Sequence, residues 1–90
     1  MDIIKAFEIA RKGKLVKHPS LLHSFYGYQY RYGQSELYEV HTGSPLIISE
    51  DLFFDWKKVT NEDIINYMEW YNNRGKKQIL KINVLKKYII

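Results

Sequence analysis

Residues 25–42, FYGYQYRYGQSELYEVHT, decide the fold. Tyrosine stands at every second position (Tyr26, Tyr28, Tyr30 and Tyr32), with Gly27, Gln29 and Arg31 in between. Alternation with a period of two marks a strand whose two faces differ in chemistry. Gly33, Gln34 and Ser35 supply turn chemistry, and the chain then resumes with Leu37 facing away from Tyr38 and Val40. Two such runs around a glycine-containing loop form a hairpin, and hairpins build antiparallel sheets. A row of four phenols serves equally well as core or as a platform for flat ligands.

Toward the N-terminus, Ile3, Ile4, Phe7, Ile9 and Ala10 recur at the spacing of an amphipathic helix over residues 2–12. Asp2 suits its N-cap and Gly13 its left-handed stop. KLVKH, residues 14–18, predicts a short strand with Leu15 and Val16 on opposite faces, ended by Pro19. Beyond the hairpin, GSP (43–45) breaks the chain and LII (46–48) reads as a short buried strand. SEDLFFDW (49–56) opens with Ser49 and two acids, which suits a helical turn, and WKKV (56–59) is extended. Thr60 and Asp63 have capping-box spacing ahead of a helix with Ile64, Ile65, Tyr67, Met68 and Tyr71 on one face. Asn72, Asn73 and Gly75 end that helix, and QILKINVLKKYII (78–90) starts as a strand. The pattern predicts an α+β domain: an N-terminal helix packed on a small antiparallel sheet, with a second helix near the C-terminus. One domain spans 1–90, with a core over 1–59 and a helix plus basic strand-like tail over 60–90.

Ninety residues without cysteine leave no disulfide or thiolate metal staple, so stability rests on an efficient core or on self-association. An apolar share of 46% argues against disorder. No run approaches the roughly 18 apolar residues that a membrane span requires. The charged N-terminal stretch does not read as a secretory signal, which points to the cytosol. The net charge of +4 is uneven: residues 74–90 hold Arg74, Lys76, Lys77, Lys81, Lys86 and Lys87 and no acid. Such a tail suits phosphates or an acidic surface, or simply a solvated edge.

Catalytic chemistry has little to stand on. His18, His23 and His41 lack metal-ligand spacing, and no glycine-rich phosphate loop occurs. Asp51 and Asp55 would share a face of a helical turn as a carboxylate pair, although acids there also favour a helix start. The expectation is therefore a non-enzymatic protein with no cofactor and no metal. Aromatic rings on a strand stack on bases, and Arg31 or lysines hold phosphates, so binding is the better fit.

Two stretches resemble a family of small phage and bacterial proteins. The opening IIKAFEIARKGKLVKHPSL (3–21) is similar to the family's helix ending in glycine, followed by a valine-centred strand with a basic residue. SEDLFFDWKKV (49–59) resembles its closing motif, with Asp51, Leu52, Asp55 and Trp56 matching position by position. The family includes the second type of phage Thoeris anti-defence protein. The resemblance implies a molecular sponge that sequesters a cyclic ADP-ribose-type nucleotide signal. It also implies homotetramers built from dimers, acting in the cytoplasm of the infected bacterial host. Lys17 or His18 stands where the family has arginine, and Leu21 where it has tryptophan. The ligand-binding residues so implied are Phe7, Lys17, Leu21, Tyr26, Tyr28, Asp51 and Asp55. Phe7 and Tyr26 would stack, Asp55 would hold ribose hydroxyls, and Trp56 would pack. A single-stranded nucleic-acid binder and an inhibitor docking on a host protein are the alternatives.

Overall fold

The computed structural model describes residues 1–72 of the 90-residue chain, with side chains through Trp70. Helix α1 (Ile3–Arg11) is followed by strands β1 (Val16–Lys17), β2 (Tyr26–Arg31) and β3 (Gln34–Glu39). A 3-10 turn (Glu50–Leu52), strand β4 (Lys57–Lys58) and helix α2 (Asn61–Asn72) complete the described part. The strands form one antiparallel sheet in the order β3-β2-β1-β4. This is the expected α+β arrangement. The basic residues of 74–90, the strand expected to start at residue 78, the helix end expected at Asn73 and Gly75, and the Tyr71 side chain lie outside the described residues.

Local chemistry sets the helix ends. The Asp2 carboxylate accepts from the Lys5 amide at 2.8 Å, and Gly13 closes α1 at φ 90°. At the start of α2 the Thr60 hydroxyl accepts from the Asp63 amide at 3.1 Å, and Asp63 accepts from the Thr60 amide at 2.8 Å. That is the reciprocal capping box, which satisfies two otherwise orphaned donors.

One helix covers each face of the sheet, and strand parity decides which side chains meet it. Val16, Tyr26 and Leu37 point to the α1 face and form a core with Ala6, Ala10, Leu52 and Trp56. Leu15, Phe25 and Val40 point to the other face and pack with Val59, Ile64 and Tyr67. Leu15 and Val16 thus do face apart. Trp56 is 1% exposed and its indole donates to the Leu52 carbonyl at 2.6 Å. The turn that carries it is stitched to the chain start: the Ile3 amide donates to Phe53 and the Trp56 amide to Met1, at 2.8 and 3.0 Å.

The hairpin differs from its expected form at the loop. Arg31 pairs with Gln34, so the loop is Tyr32–Gly33 alone, and Gln34 and Ser35 already belong to β3. Both loop residues have positive φ, 54° and 75°. Two consecutive left-handed residues are what a type I′ turn requires, and its twist matches that of the flanking strands. β2 begins at Tyr26, after His23 at φ 59° has broken the extended chain ahead of it.

The row of phenols is not one surface. Tyr26 is buried and Tyr28 partly so, whereas Tyr30 and Tyr32 are 68% and 91% exposed. α1 covers only the near end of β2, and the strand runs out past it. On the other face Gly27 lies beneath the Tyr38 ring: a Cβ there would meet Tyr38 Cε1 at 3.1 Å. The LII segment is not a buried strand either. Pro45 makes an isolated bridge to Tyr38, Leu46 is half-buried, and Ile47 is 88% exposed. Ile65 likewise falls on the solvent side of α2.

Candidate functional site

The β1–β2 connection passes beneath α2 and leaves a cavity of about 350 Å³ between them. Its apolar wall comes from Pro19, Leu21 and Leu22 of the connection, Phe25 at the head of β2, and Tyr67 and Trp70 of α2. His23 stacks on Trp70 with ring centroids 3.8 Å apart and planes 5° apart. Phe25 and Tyr67 meet at 5.0 Å. Tyr67 and Trp70 lie three apart on the helix and so share a face.

The polar groups of this cavity include Lys17 of β1, Ser24 of the connection, Lys57 of β4, and Asp63 and Asn66 of α2. Lys17 Nζ donates to Asp63 at 2.6 Å, tying the sheet to the helix start. Partial burial works to raise the Asp63 pKa. Hydrogen bonds from Lys17 and Thr60, with the Lys17 charge, outweigh it and hold the carboxyl below its ordinary range. Two lysines against one carboxylate give this end of the cavity a net positive charge. His18 closes its floor. The buried imidazole accepts from the Ser20 amide through Nδ1 at 3.0 Å and donates from Nε2 to the Phe54 carbonyl at 2.7 Å. Those two bonds define the neutral Nε2–H tautomer.

A second cavity, also about 350 Å³, lies where the His23–Ser24 stretch meets the loop after β3. It is lined by hydroxyls and acceptors: Ser24, Tyr26, Glu39, Thr42 and Ser44. Glu39 accepts from the amides of His41 and Thr42 at 3.0 and 2.8 Å and thereby shapes the loop. Burial pushes the Tyr26 phenol up; the Glu39 charge adds to this and a Ser24 hydrogen bond opposes it. Tyr26 therefore remains a neutral donor.

The residues singled out from the sequence do not share one cavity. Lys17 and Leu21 line the first and Tyr26 the second. Phe7 and Tyr28 pack against the α1-side core; Arg11 lies over the Tyr28 ring at 5.2 Å, and the phenol bonds Ser35 at 2.9 Å. Asp51 is exposed in the 3-10 turn, and exposed Asp55 has φ 71°, where an aspartate serves the backbone turn itself. Sequence reasoning gave His23, Lys57, Asn66 and Trp70 no place in a binding site. Only the Tyr67–Trp70 spacing signalled a shared aromatic face; the approach of His23 is a product of the tertiary fold.

No family model, curated protein or solved structure matches the chain. The site therefore rests on its own geometry. Among the described residues no helix is long and apolar enough to cross a membrane, and no group of three His, Cys, Asp or Glu is arranged to hold a metal.

Proposed function

We propose that this protein binds a nucleotide-derived signal without transforming it, as a sponge for a cyclic ADP-ribose-type second messenger. One observation carries the reading: an aromatic-walled cavity lined by the stacked rings of His23 and Trp70 together with Lys17 and Lys57. A base gains roughly 1–3 kcal/mol from each ring it stacks on, and lysines compensate phosphate charge. Asn66 offers both donor and acceptor to a base edge. The likeness of SEDLFFDWKKV (49–59) to the closing motif of the Thoeris anti-defence family supports the same reading. On it the protein works in the cytoplasm of an infected bacterium, as a homotetramer built from dimers. Incubation with a cyclic ADP-ribose isomer, removal of free ligand and heat release should return the intact nucleotide in stoichiometric amount. Recovery of none sinks the proposal.

A second reading rests on the far end of the hairpin. Tyr30 and Tyr32 are exposed there, with Arg31 5.4 Å from the Tyr32 ring centroid. Exposed rings beside a guanidinium are the elements of a single-stranded nucleic-acid contact. Oligonucleotide affinity that falls steeply with salt supports it, and no measurable affinity at low salt removes it.

A further inference from the structure

The segment 47–56, IISEDLFFDW, sends its apolar residues two ways. Leu52 and Trp56 go inward to the α1-side core, whereas Ile47, Phe53 and Phe54 are exposed, Phe54 to 65%. Ile4, 70% exposed in the first turn of α1, adjoins them, because the Ile3 amide donates to the Phe53 carbonyl at 2.8 Å. Hydrogen bonds fix the backbone that carries these side chains. The Leu52 and Phe53 amides close the 3-10 turn on Ser49 and Glu50, and buried His18 holds the Phe54 carbonyl at 2.7 Å. A partner therefore has little ordering left to impose. None of these exposed residues lines either cavity.

Apolar surface gathered in one place and rimmed by polar groups marks a contact with a protein or a membrane. Charge decides between them. Residues 1–4 and 47–56 hold four exposed acids, Asp2, Glu50, Asp51 and Asp55, and no Lys, Arg or His, in a chain of net charge +4. Lys5, next along α1, pairs with Glu8 at 3.4 Å. This rim repels an anionic membrane or a nucleic acid, and it attracts a polypeptide that interleaves apolar residues with Lys and Arg. We infer that the face docks a basic, apolar segment of a partner protein. Phe53 and Phe54 are its apolar anchors, of a residue type enriched at interfaces, and the four acids select the partner by charge.

The test is fluorescence anisotropy of a labelled peptide of leucine and lysine at helical spacing, compared with its leucine–glutamate counterpart. The full-length wild type should bind the lysine peptide about tenfold tighter than the glutamate peptide. Phe54→Ser should weaken the lysine peptide about tenfold, and Glu50→Lys with Asp51→Lys should erase the preference. Tyr32→Ser, at the far end of the hairpin, should change neither. All four positions are exposed, so the fold is kept, and a thermal melt checks it. Equal affinity of the wild type for the two peptides overturns the proposal, and so does a Phe54→Ser variant that binds as the wild type does. Absence of binding overturns it too. The face then belongs to a second copy if sedimentation shows an assembly that Phe54→Ser dissociates, and to the chain's own basic residues 74–90 if it shows a monomer.

Discussion

The imidazole of His23 and the indole of Trp70 lie parallel at 3.8 Å, one from a connecting segment and the other from α2. This contact joins the β1–β2 connection to α2 at the first cavity. Trp70→Ala removes one ring of the stacked pair that lines the cavity. It should weaken nucleotide binding by roughly 1–3 kcal/mol, or about 5- to 150-fold in Kd. Calorimetry reads the loss and a thermal melt reads folding. Unchanged affinity in a folded variant means that the ligand does not touch this wall.

Lys57 should act through charge alone. Its side chain lines the cavity from β4, the last strand of the sheet among the described residues. Lys57→Glu should weaken nucleotide binding at least tenfold and flatten its salt dependence, with little change in stability. A salt dependence equal to that of the wild type would place the phosphates elsewhere.

Asp63 links acid sensitivity to the attachment of α2. Its carboxyl titrates below the ordinary range, because the bonds from Lys17 and Thr60 outweigh the effect of burial. A carboxylate depressed in the folded state contributes stability above its unfolded pKa, about 3.9 for aspartate. That contribution is lost as pH falls through the lower folded value. Stability from this group should therefore be level from neutrality down to about pH 5 and decline below about pH 4. Asp63→Asn should be about 1 kcal/mol less stable at pH 7, with the difference narrowing in acid. Urea unfolding at pH 7 and pH 3 checks this, and a pH-independent gap between the two proteins refutes it.

Tyr32 sits at φ 54° in the tightest part of the hairpin, where Asn is the favoured residue. Tyr32→Asn should raise stability by about 0.5–1 kcal/mol, since the ring is 91% exposed and buries almost nothing. The same variant should lose any oligonucleotide affinity that the hairpin tip has. A destabilised Tyr32→Asn would mean that the Arg31–Tyr32 contact outweighs the backbone strain.

Trp56 ties the α1-side core to the chain start. Trp56→Ala should lose about 3–5 kcal/mol, a large part of the margin of a domain this size. Chemical denaturation measures it directly.

Much of this architecture was legible from residues that act on their neighbours. The Asp2 cap, the Thr60–Asp63 box and the opposed facing of Leu15 and Val16 are all local consequences of side-chain chemistry. The loop was harder, because Gly33-Gln34-Ser35 and Tyr32-Gly33 are both turn-like. Only the pairing of Arg31 with Gln34 distinguishes them. LII failed because apolar content carries no information about whether a partner surface exists. The cavity was least legible. His23 and Trp70 are far apart in the chain, and nothing in either neighbourhood announces the other. The phenol row divided because α1 is shorter than the reach of β2, a fact about relative placement rather than pattern.

The capping box has a thermodynamic consequence. α2 is fastened at its start by Thr60, Asp63 and Lys17, while its second turn onward roofs the cavity with Asn66, Tyr67 and Trp70. Whatever fills that space binds only when the helix lies on the sheet, so occupancy and helix docking are linked equilibria. A ligand at a hundred times its Kd adds about 2.7 kcal/mol to the docked state. Amide exchange in α2 would therefore slow by about a hundredfold on saturation and report binding of any occupant, identified or not.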